Sequence, residues 1–238
     1  MEMDRSKSVA IVLAAGRGKR MNADVQKQYL MLGDRPVLYH SLKVFEDSFV
    51  NEVILVVGED DIEYCRSEIV EKYKLHKVKQ IVAGGRERYH SVMNGLKAID
   101  GECSYVFIHD GARPFVTQDI LHRAYETVST YGTAVVAMPS KDTVKIADDE
   151  QCAKETPDRR TVWMMQTPQV FSYHLIKDAY EKLADAEEKF AQLGIVVTDD
   201  AMVVEMFSNT KVKFVEGSYG NIKITTPEDL VIANALLS

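Results

Sequence analysis

The stretch "VAIVLAAGRG", residues 9–18, decides the fold, because it joins a continuous apolar run to a turn of small residues. An unbroken apolar run such as 9–13 is typical of a strand that is buried on both faces of a sheet. Small residues then remove side-chain bulk at the carboxyl end of that strand, where open α/β sheets bind their ligands: Ala14, Ala15, Gly16 and Gly18. The stretch therefore predicts the first strand of an α/β sheet and a ligand-binding loop directly after it.

Strand-like and helix-like segments alternate along the rest of the chain. Apolar, β-branched runs predict strands at residues 52–57, 78–82, 105–108, 133–138 and 211–215. Amphipathic stretches predict helices at 36–49, 60–73, 87–99, 117–131, 172–184, 186–193 and 198–206, and from 226 onwards. Strand, helix and strand at this spacing predict right-handed βαβ units. We expect a single Rossmann-like α/β domain over residues 1–238, with a mostly parallel sheet flanked by helices.

Residues 140–163 interrupt this rhythm. They are polar and contain two short alternating runs, at 143–146 and 161–164, with a charged, turn-like stretch between them. The pattern predicts a protruding β-arm, and a solvated surface loop is the alternative that it leaves open.

Composition excludes several classes of partner. The formal net charge of −7, from 29 Lys and Arg against 36 Asp and Glu, argues against a nucleic-acid-binding surface. The three cysteines have no CxxC spacing, which indicates reduced thiols rather than a disulfide framework. The N-terminus lacks the apolar segment of a secretion signal, and no apolar run approaches the ~18 residues of a membrane span. We expect a cytoplasmic protein without nucleic-acid or membrane partners.

Residues 13–30 can be interpreted as one of three kinds of phosphate-binding loop. A mononucleotide P-loop needs a glycine where this chain has Leu13 and a hydroxyl where it has Arg20. A dinucleotide-binding turn needs a glycine or alanine where it has Met21. A nucleotidyltransferase loop fits, because exposed backbone amides can cradle phosphates and Arg20 and Lys27 add positive charge where a triphosphate would lie.

Seven blocks, in order and over nearly the whole chain, resemble one enzyme family. The sequence is similar to the cytidylyltransferases that make CDP-linked polyols, most of all the 2-C-methyl-D-erythritol 4-phosphate cytidylyltransferases of non-mevalonate isoprenoid synthesis. One departure is Gln26, where the family usually has proline. The blocks are "AAGRGKRM…KQYL…PVLYHSLKVF" (14–45), "GGRERYHSVMNGL" (84–96), "IHDGARPFV" (108–116), "PSKDTVK" (139–145), "WMMQTPQVF" (163–171), "TDDA" (198–201) and "GSYGNIKITTPEDL" (217–230).

The resemblance implies a Mg²⁺-dependent transfer of CMP from CTP to 2-C-methyl-D-erythritol 4-phosphate, with release of pyrophosphate. A phosphate monoester has a second pKa of about 6, so the attacking phosphate is already ionised and needs no general base. This fits a chain whose six histidines form neither a Ser-His-Asp set nor an HExxH motif. The site has to align the reactants and compensate negative charge.

Residue roles follow by resemblance. The catalytic cations are Arg20, Lys27 and Lys223. The nucleotide-binding residues are Ala14, Ala15, Gly16, Gly18, Gly85 and Ser91. The substrate-binding residues are Asp110, Arg113, Thr143, Arg159, Thr167 and Thr198, and Asp110 also binds the metal. His109 is expected to be structural, and Arg88 to shape the cytosine loop.

The family's homodimers embrace through their arms. The resemblance therefore implies that Thr143 contacts substrate phosphate within one subunit while Arg159 enters the partner's site. Arg160 is the alternative for this last role.

Two other functions stay open at this point. Ribitol 5-phosphate cytidylyltransferases share most of the blocks but typically carry "DSVRPF" where this chain has "DGARPF" at 110–115. A non-catalytic nucleotide-binding relic of the same fold is the second alternative, since fold does not determine function. The joint presence of Arg20, Lys27, Asp110 and Lys223 argues against it.

Overall fold

The computed structural model of the chain describes residues 6–16 and 26–237. Their strands are, in chain order, β1 Ser8–Ala14, β2 Met31–Leu32, β3 Arg35–Pro36, β4 Glu52–Val57, β5 Val78–Ala83, β6 Tyr105–Asp110, β7 Thr133–Pro139, β8 Ile146–Ala147, β9 Ala153–Glu155, β10 Trp163–Ser172 and β11 Phe214–Glu216. Their α-helices are α1 Val37–Glu46, α2 Ile62–Tyr64, α3 Arg88–Lys97, α4 Gln118–Tyr131, α5 Tyr173–Leu193, α6 Asp200–Phe207 and α7 Pro227–Leu237. A 3-10 turn, Glu59–Asp61, precedes α2, and a π-helical segment, Cys65–Glu71, follows it.

Seven strands form the central sheet in the order β11-β7-β10-β6-β1-β4-β5. β1 runs parallel to both of its neighbours, and the pairs β4–β5 and β7–β11 are also parallel. β10 is antiparallel to β6 and to β7. The predicted α/β class with a mostly parallel sheet is confirmed.

β1 lies in the interior of the sheet, between β6 and β4, because both of its faces are apolar. Ala10, Val12 and Ala14 belong to the core cluster that packs under α1 and α4. Val9 and Ile11 belong to the cluster on the opposite face, under α3, α5 and α6. Burial on both faces, expected from the unbroken run 9–13, is therefore observed. The carboxyl end of β1 therefore lies within the sheet, with a neighbouring strand on each side.

Local sequence signals explain the helix boundaries well. Thr117 caps α4 by accepting a hydrogen bond from the Ile120 amide (3.3 Å), and Gly132 ends the helix with a φ of 74°. α5 is one helix of 21 residues, whereas two shorter ones were predicted. Within the described part of the chain, none of the helices combines the length and apolarity that crossing a membrane requires.

The arm differs from its prediction in detail. Its hairpin is formed by the exposed strands β8 and β9, not by the runs 143–146 and 161–164. The second run instead leads into β10, a strand of the central sheet that the sequence pattern did not predict. Pro168 and two glutamines break the alternation there, and the pairing with β7 shifts register between Met165 and Gln169, which accommodates the proline.

Candidate active site

The carboxyl ends of β1 and β6 meet at one edge of the sheet and place Asp110 beside the small-residue loop. Leu13 is the register partner of Asp110, and the next amide, Gly111 N–H, donates to the Leu13 carbonyl oxygen (2.8 Å). A Cβ on Gly111 would lie 3.0 Å from that oxygen and 3.4 Å from the Ala14 Cβ. The two predicted halves of the site, at 14–16 and around 110, are therefore neighbours.

A second set of small residues, after β5, lies beside the loop that follows β1. The Gly85 amide donates to the Ser91 hydroxyl (3.1 Å), and the Gly84 amide donates to the Val57 carbonyl oxygen (2.7 Å). A Cβ on Gly84 would lie 2.3 Å from the Ala15 Cβ and 2.9 Å from the Ser91 Oγ. The structure thus brings Ala15, Gly85 and Ser91 together as expected. It adds Gly84, which was not among the residues predicted for the site.

Two predicted residues, Gly18 and Arg20, lie outside the described residues. Gly16 is described, and a Cβ placed on it would meet no atom within 4 Å.

Substituting Gly84 with alanine is expected to damage the packing at this edge of the sheet. The added Cβ would overlap the Ala15 Cβ and crowd the Ser91 Oγ, which should lower the free energy of unfolding by about 1–3 kcal/mol. Urea unfolding measures this effect. Gly16→Ala is the steric control and should change the unfolding free energy by less than about 0.5 kcal/mol. Equal unfolding free energies for the two variants would contradict this packing argument.

Asp110 is the centre of a charge cluster. Its Oδ2 lies 2.7 Å from the Lys223 Nζ and 3.8 Å from the Arg113 Nε, and its Oδ1 lies 3.5 Å from the Arg88 Nε. The carboxylate is buried, with only 8% of the residue exposed. Burial alone raises the pKa of Asp110, but the positive charges of Arg88, Lys223 and Arg113 outweigh it and hold the pKa well below its ordinary value. Asp110 is therefore ionised at any physiological pH.

Arg88 has a larger part in the site than the sequence indicated. Its fork donates two hydrogen bonds of 2.8 Å to Asp200, so the side chain bridges Asp200 and Asp110. Burial lowers the pKa of Arg88, but Asp200 and Asp110 raise it by more, so the net shift is well upward. Because 112 positions separate Arg88 from Asp200, local spacing gives no sign of their contact. The sequence offers one indirect signal, which is that "GGRER" and "TDDA" are both blocks of one family.

Arg113 donates hydrogen bonds to two main-chain oxygens. Its Nη1 donates to the Asn221 carbonyl oxygen (2.8 Å) and its Nη2 to that of Met165 (3.4 Å). Its Nε is buried and has no hydrogen-bond partner among the residues that the structure describes. These contacts tie the segment before Lys223 to β10, while the substrate contact expected of Arg113 stays a prediction.

His109 is buried and orders the turn around Asp110. Its Nε2 lies 3.1 Å from the Arg113 carbonyl oxygen, which can only accept, so Nε2 carries the proton. The Thr167 hydroxyl can then donate to His109 Nδ1 (3.0 Å) while it accepts from the Asp110 amide (3.1 Å). The chain of bonds fixes Asp110 through its own backbone. This matches the structural role expected of His109.

The buried His109 makes stability depend on pH. Burial lowers its pKa from 6.5 to about 4. Between these values the unfolded chain binds a proton that the folded chain does not, so stability is full above pH 6.5 and is lost as the pH falls towards 4. Denaturant unfolding should record a loss of about 3 kcal/mol across this window. His109→Gln keeps a donor and an acceptor but does not titrate, so the free energy of unfolding of this variant should fall by about 3 kcal/mol less over the same pH range. The same dependence on pH in both proteins would refute His109 as the source of the loss.

The segment that carries Lys27 is tied to the end of β1. Lys27–Tyr29 forms a 3-10 turn, and the Gln28 side chain donates to the Ala14 carbonyl oxygen and to the Gln26 Oε1, both at 2.6 Å. Gln26 in turn donates to the Asp61 carboxylate (2.8 Å). Gln26, the departure from the usual proline, thus anchors this segment through its side chain and keeps the half-buried Lys27 close to the loop.

A cavity of about 260 Å³ opens beside Asp110. Four residues predicted for the site share its wall: Asp110, Thr167, Thr198 and Lys223. The remaining lining residues are Arg88, Met165, Gln166, Gln169 and Asp199. The cavity is therefore the place where residues from α3, β6, β10, the turn before α6 and the segment before α7 meet.

Thr143 and Arg159 lie on the exposed arm. Arg159 Nη1 donates to the Lys141 carbonyl oxygen (3.0 Å), and Arg160 binds Asp158 with its guanidinium. None of these hydrogen bonds within the described residues leads to the Asp110 cluster. Their expected roles in catalysis stay predictions.

Comparison with known proteins gives a consistent result. A family model described as 2-C-methyl-D-erythritol 4-phosphate cytidylyltransferase matches residues 8–238. A protein of that name from Lachnospira eligens is 50% identical over 231 residues, covering 97% of this chain and 99% of the relative. Another, from Lachnoclostridium phytofermentans, is 47% identical over 231 residues, covering 97% of this chain and 96% of the relative.

Solved structures agree with these relatives. The crystal structure of 4-diphosphocytidyl-2C-methyl-D-erythritol synthase from Anaerococcus prevotii matches with a TM-score of 0.84 at 38% identity, covering 98% of this chain and 96% of that one. A 2-C-methyl-D-erythritol 4-phosphate cytidylyltransferase from Francisella tularensis matches with a TM-score of 0.78 at 29% identity, covering 97% and 99%. The chain therefore belongs to the 2-C-methyl-D-erythritol 4-phosphate cytidylyltransferase family.

Proposed function

We propose that the chain transfers CMP from CTP to 2-C-methyl-D-erythritol 4-phosphate, releasing pyrophosphate, in the synthesis of isoprenoid precursors. The observation that carries this proposal is the Asp110–Lys223 pair, 2.7 Å apart in the wall of the cavity and adjacent to the loop of small residues. A phosphate-transfer site needs such a combination of cations and exposed backbone. Family membership supports the same activity.

In the proposed reaction, an oxygen of the substrate phosphate forms a bond to the α-phosphorus of CTP. The bond from that phosphorus to the bridging oxygen of the β-phosphate breaks, and its electron pair leaves with pyrophosphate. The attacking phosphate is ionised above its second pKa of about 6, so no protein base has to remove a proton. In the transition state negative charge is spread over the oxygens around the five-coordinate phosphorus, and the site lowers the barrier by offsetting that charge.

Three cations are proposed to offset that charge: Arg20, Lys27 and Lys223. Lys223 is the one whose environment is described best, since its ammonium lies at the cavity wall and is held there by Asp110. Lys27 lies on the turn that Gln28 ties to Ala14, next to the proposed phosphate-binding backbone.

Asp110 is proposed to hold Mg²⁺ and to orient the substrate. The residues fit this ion, because Mg²⁺ takes one or two protein carboxylates, water and the substrate phosphates. Asp110 Oδ1 lies 3.5 Å from Arg88 Nε, which is beyond hydrogen-bonding distance, so the ion pair with Arg88 leaves this oxygen able to serve as a ligand. Bound Mg²⁺ would supply further neutralisation of the triphosphate. Thr167 and Thr198 are proposed to contact the methylerythritol moiety from the same wall.

Cytosine is proposed to bind against the small residues at the ends of β1 and β5. Main-chain amides and carbonyls can read a pyrimidine edge, and a site of fixed width excludes a purine. The tight approach of Gly84 to Ala15 and Ser91 sets that width.

The enzyme is proposed to act in the cytoplasm. The thiols of Cys65 and Cys103 are buried, and burial raises the pKa of each to about 11, so they stay protonated and unreactive. This usage suits reduced cysteines and no redox function.

A homodimer is proposed in which Thr143 serves its own subunit and Arg159 serves the partner's site. Lys223→Met and Arg159→Ala chains should each be nearly inactive, but mixing them after co-refolding should restore about a quarter of wild-type activity. Half of the dimers are then mixed, and each of these has one site with both residues intact. Pyrophosphate release measures this. No recovery on mixing would contradict a role across the interface, and Arg160→Ala in place of Arg159→Ala distinguishes the two arginines.

Pyrophosphate release from CTP with each polyol phosphate in turn tests the function as a whole. Methylerythritol phosphate is expected to give a higher kcat/KM than ribitol 5-phosphate. Faster turnover of ribitol 5-phosphate would contradict the substrate assignment. No release with either substrate, from a folded protein that binds CTP, would favour the non-catalytic relic.

A further inference from the structure

The guanidinium of Arg88 lies within reach of two carboxylates, and the two hydrogen bonds of its fork both go to Asp200. Both Nη atoms donate to Asp200, at 2.8 Å each, while Asp110 faces the Nε side at 3.5 Å. A guanidinium fork makes its strongest contact when it binds both oxygens of one carboxylate. Asp110 and Asp200 therefore compete for the same fork, and Asp200 holds it.

Asp200 is fixed from the side away from the cavity. Tyr180 on α5 donates its hydroxyl to Asp200 Oδ1 (2.5 Å), and both residues are buried. Burial and the Asp200 charge raise the pKa of Tyr180 well above its ordinary value, so this hydroxyl stays a donor.

The turn before α6 is fixed as well. The side chain of Gln169, on β10, donates to Asp199 Oδ2 and accepts from the Ala201 amide, both at 2.9 Å. Asp199 itself caps α6 by accepting from the Met202 amide (2.9 Å). Asp200 lies between these two anchored neighbours, so the carboxylate that receives the Arg88 fork cannot easily move towards the cavity.

We propose that Asp200 and Tyr180 are positioning residues that keep the Arg88 fork off Asp110. Arg88 then contributes positive charge beside Asp110 without occupying Oδ1. That oxygen remains available to the Mg²⁺ ion of the proposed function, on which this inference rests. Without the Asp200 carboxylate the fork is free to turn and bind both oxygens of Asp110, which blocks the metal ligand.

Binding of Mn²⁺ in the presence of CTP, followed by electron paramagnetic resonance, tests this without requiring turnover. Asp200→Asn keeps the shape of the side chain but removes its charge, and should weaken Mn²⁺ binding about tenfold. The double variant R88M/D200N removes the freed fork as well and contains no unpaired buried charge. Because removing a neighbouring positive charge by itself favours a cation, R88M alone is the reference: R88M/D200N should exceed D200N in Mn²⁺ affinity by a larger factor than R88M exceeds wild type.

Tyr180→Phe should weaken Mn²⁺ binding in the same direction by a smaller factor, and it carries the test if D200N does not fold. Tyr89→Phe is the matched control, since the Tyr89 hydroxyl also bonds a carboxylate, Glu187, at 3.1 Å, but away from Asp110. Unchanged Mn²⁺ affinity in D200N and Y180F, or a gain from R88M that is no larger in D200N than in wild type, would overturn the proposal. A wild-type protein that binds Mn²⁺ and CTP but transfers no CMP would instead refute the proposed function.

Discussion

Lys223→Met is expected to lower kcat for CMP transfer by about 10²–10³, the usual effect of removing one group that offsets charge in the transition state. The Lys223 ammonium lies 2.7 Å from Asp110 at the wall of the cavity, so it is held at the place where the phosphates are proposed to react. The KM for CTP should rise much less than kcat falls, because the charge that Lys223 offsets is largest in the transition state.

Steady-state pyrophosphate release gives both constants. Lys97→Met, which removes the same charge from the exposed end of α3, is the control and should behave as wild type. A kcat for Lys223→Met within twofold of wild type would contradict its catalytic role.

Asp110→Asn is expected to abolish measurable turnover and also to destabilise the fold. The carboxylate is buried among Lys223, Arg113 and Arg88, and its loss leaves three positive charges without their common partner. Breaking such a buried set by removing one member costs about 3–5 kcal/mol. Asp110 also supplies the oxygen proposed to bind Mg²⁺, so kcat should fall by at least about 10².

Thermal unfolding with and without CTP measures the loss of stability. Activity measured well below the melting temperature reports the loss of turnover separately. Asp158→Asn is the control, because Asp158 binds its arginine on the exposed arm. A D110N protein that is as stable as wild type would contradict the account of the charge cluster.

The sequence predicts most of the sheet and the edge at which the candidate site lies, for clear physical reasons. An unbroken apolar run indicates a strand buried on both faces, and parallel strands bring their carboxyl ends to one edge, so the neighbourhood of Ala14 and Asp110 follows from pattern alone. β10 escaped prediction because Pro168 and the glutamines obscure its alternation. Those polar residues face the cavity or bind neighbouring segments, so these contacts, and not an apolar alternation, determine the side chains along this strand.

The contacts of Arg88 could not be derived from local pattern. Its fork meets Asp200 only after α3 and α6 pack on the same face of the sheet, and spacing along the chain contains no information on that meeting. Local pattern also cannot show that residue 84 has to be a glycine. That requirement arises because Ala15 and Ser91 lie too close to leave room for a Cβ. Gln26, unexplained in the sequence, acquires a role through Asp61 and Gln28.

The central claim is that the ionised substrate phosphate attacks the α-phosphorus of CTP within the Asp110–Lys223 site. Methylerythritol phosphate labelled with ¹⁸O on its phosphate, incubated with CTP and followed by ³¹P NMR, tests it most directly. The account predicts that the α-phosphorus of the product carries one labelled bridging oxygen and that the released pyrophosphate is unlabelled. Product without label in the bridge, or label in the pyrophosphate, would contradict it.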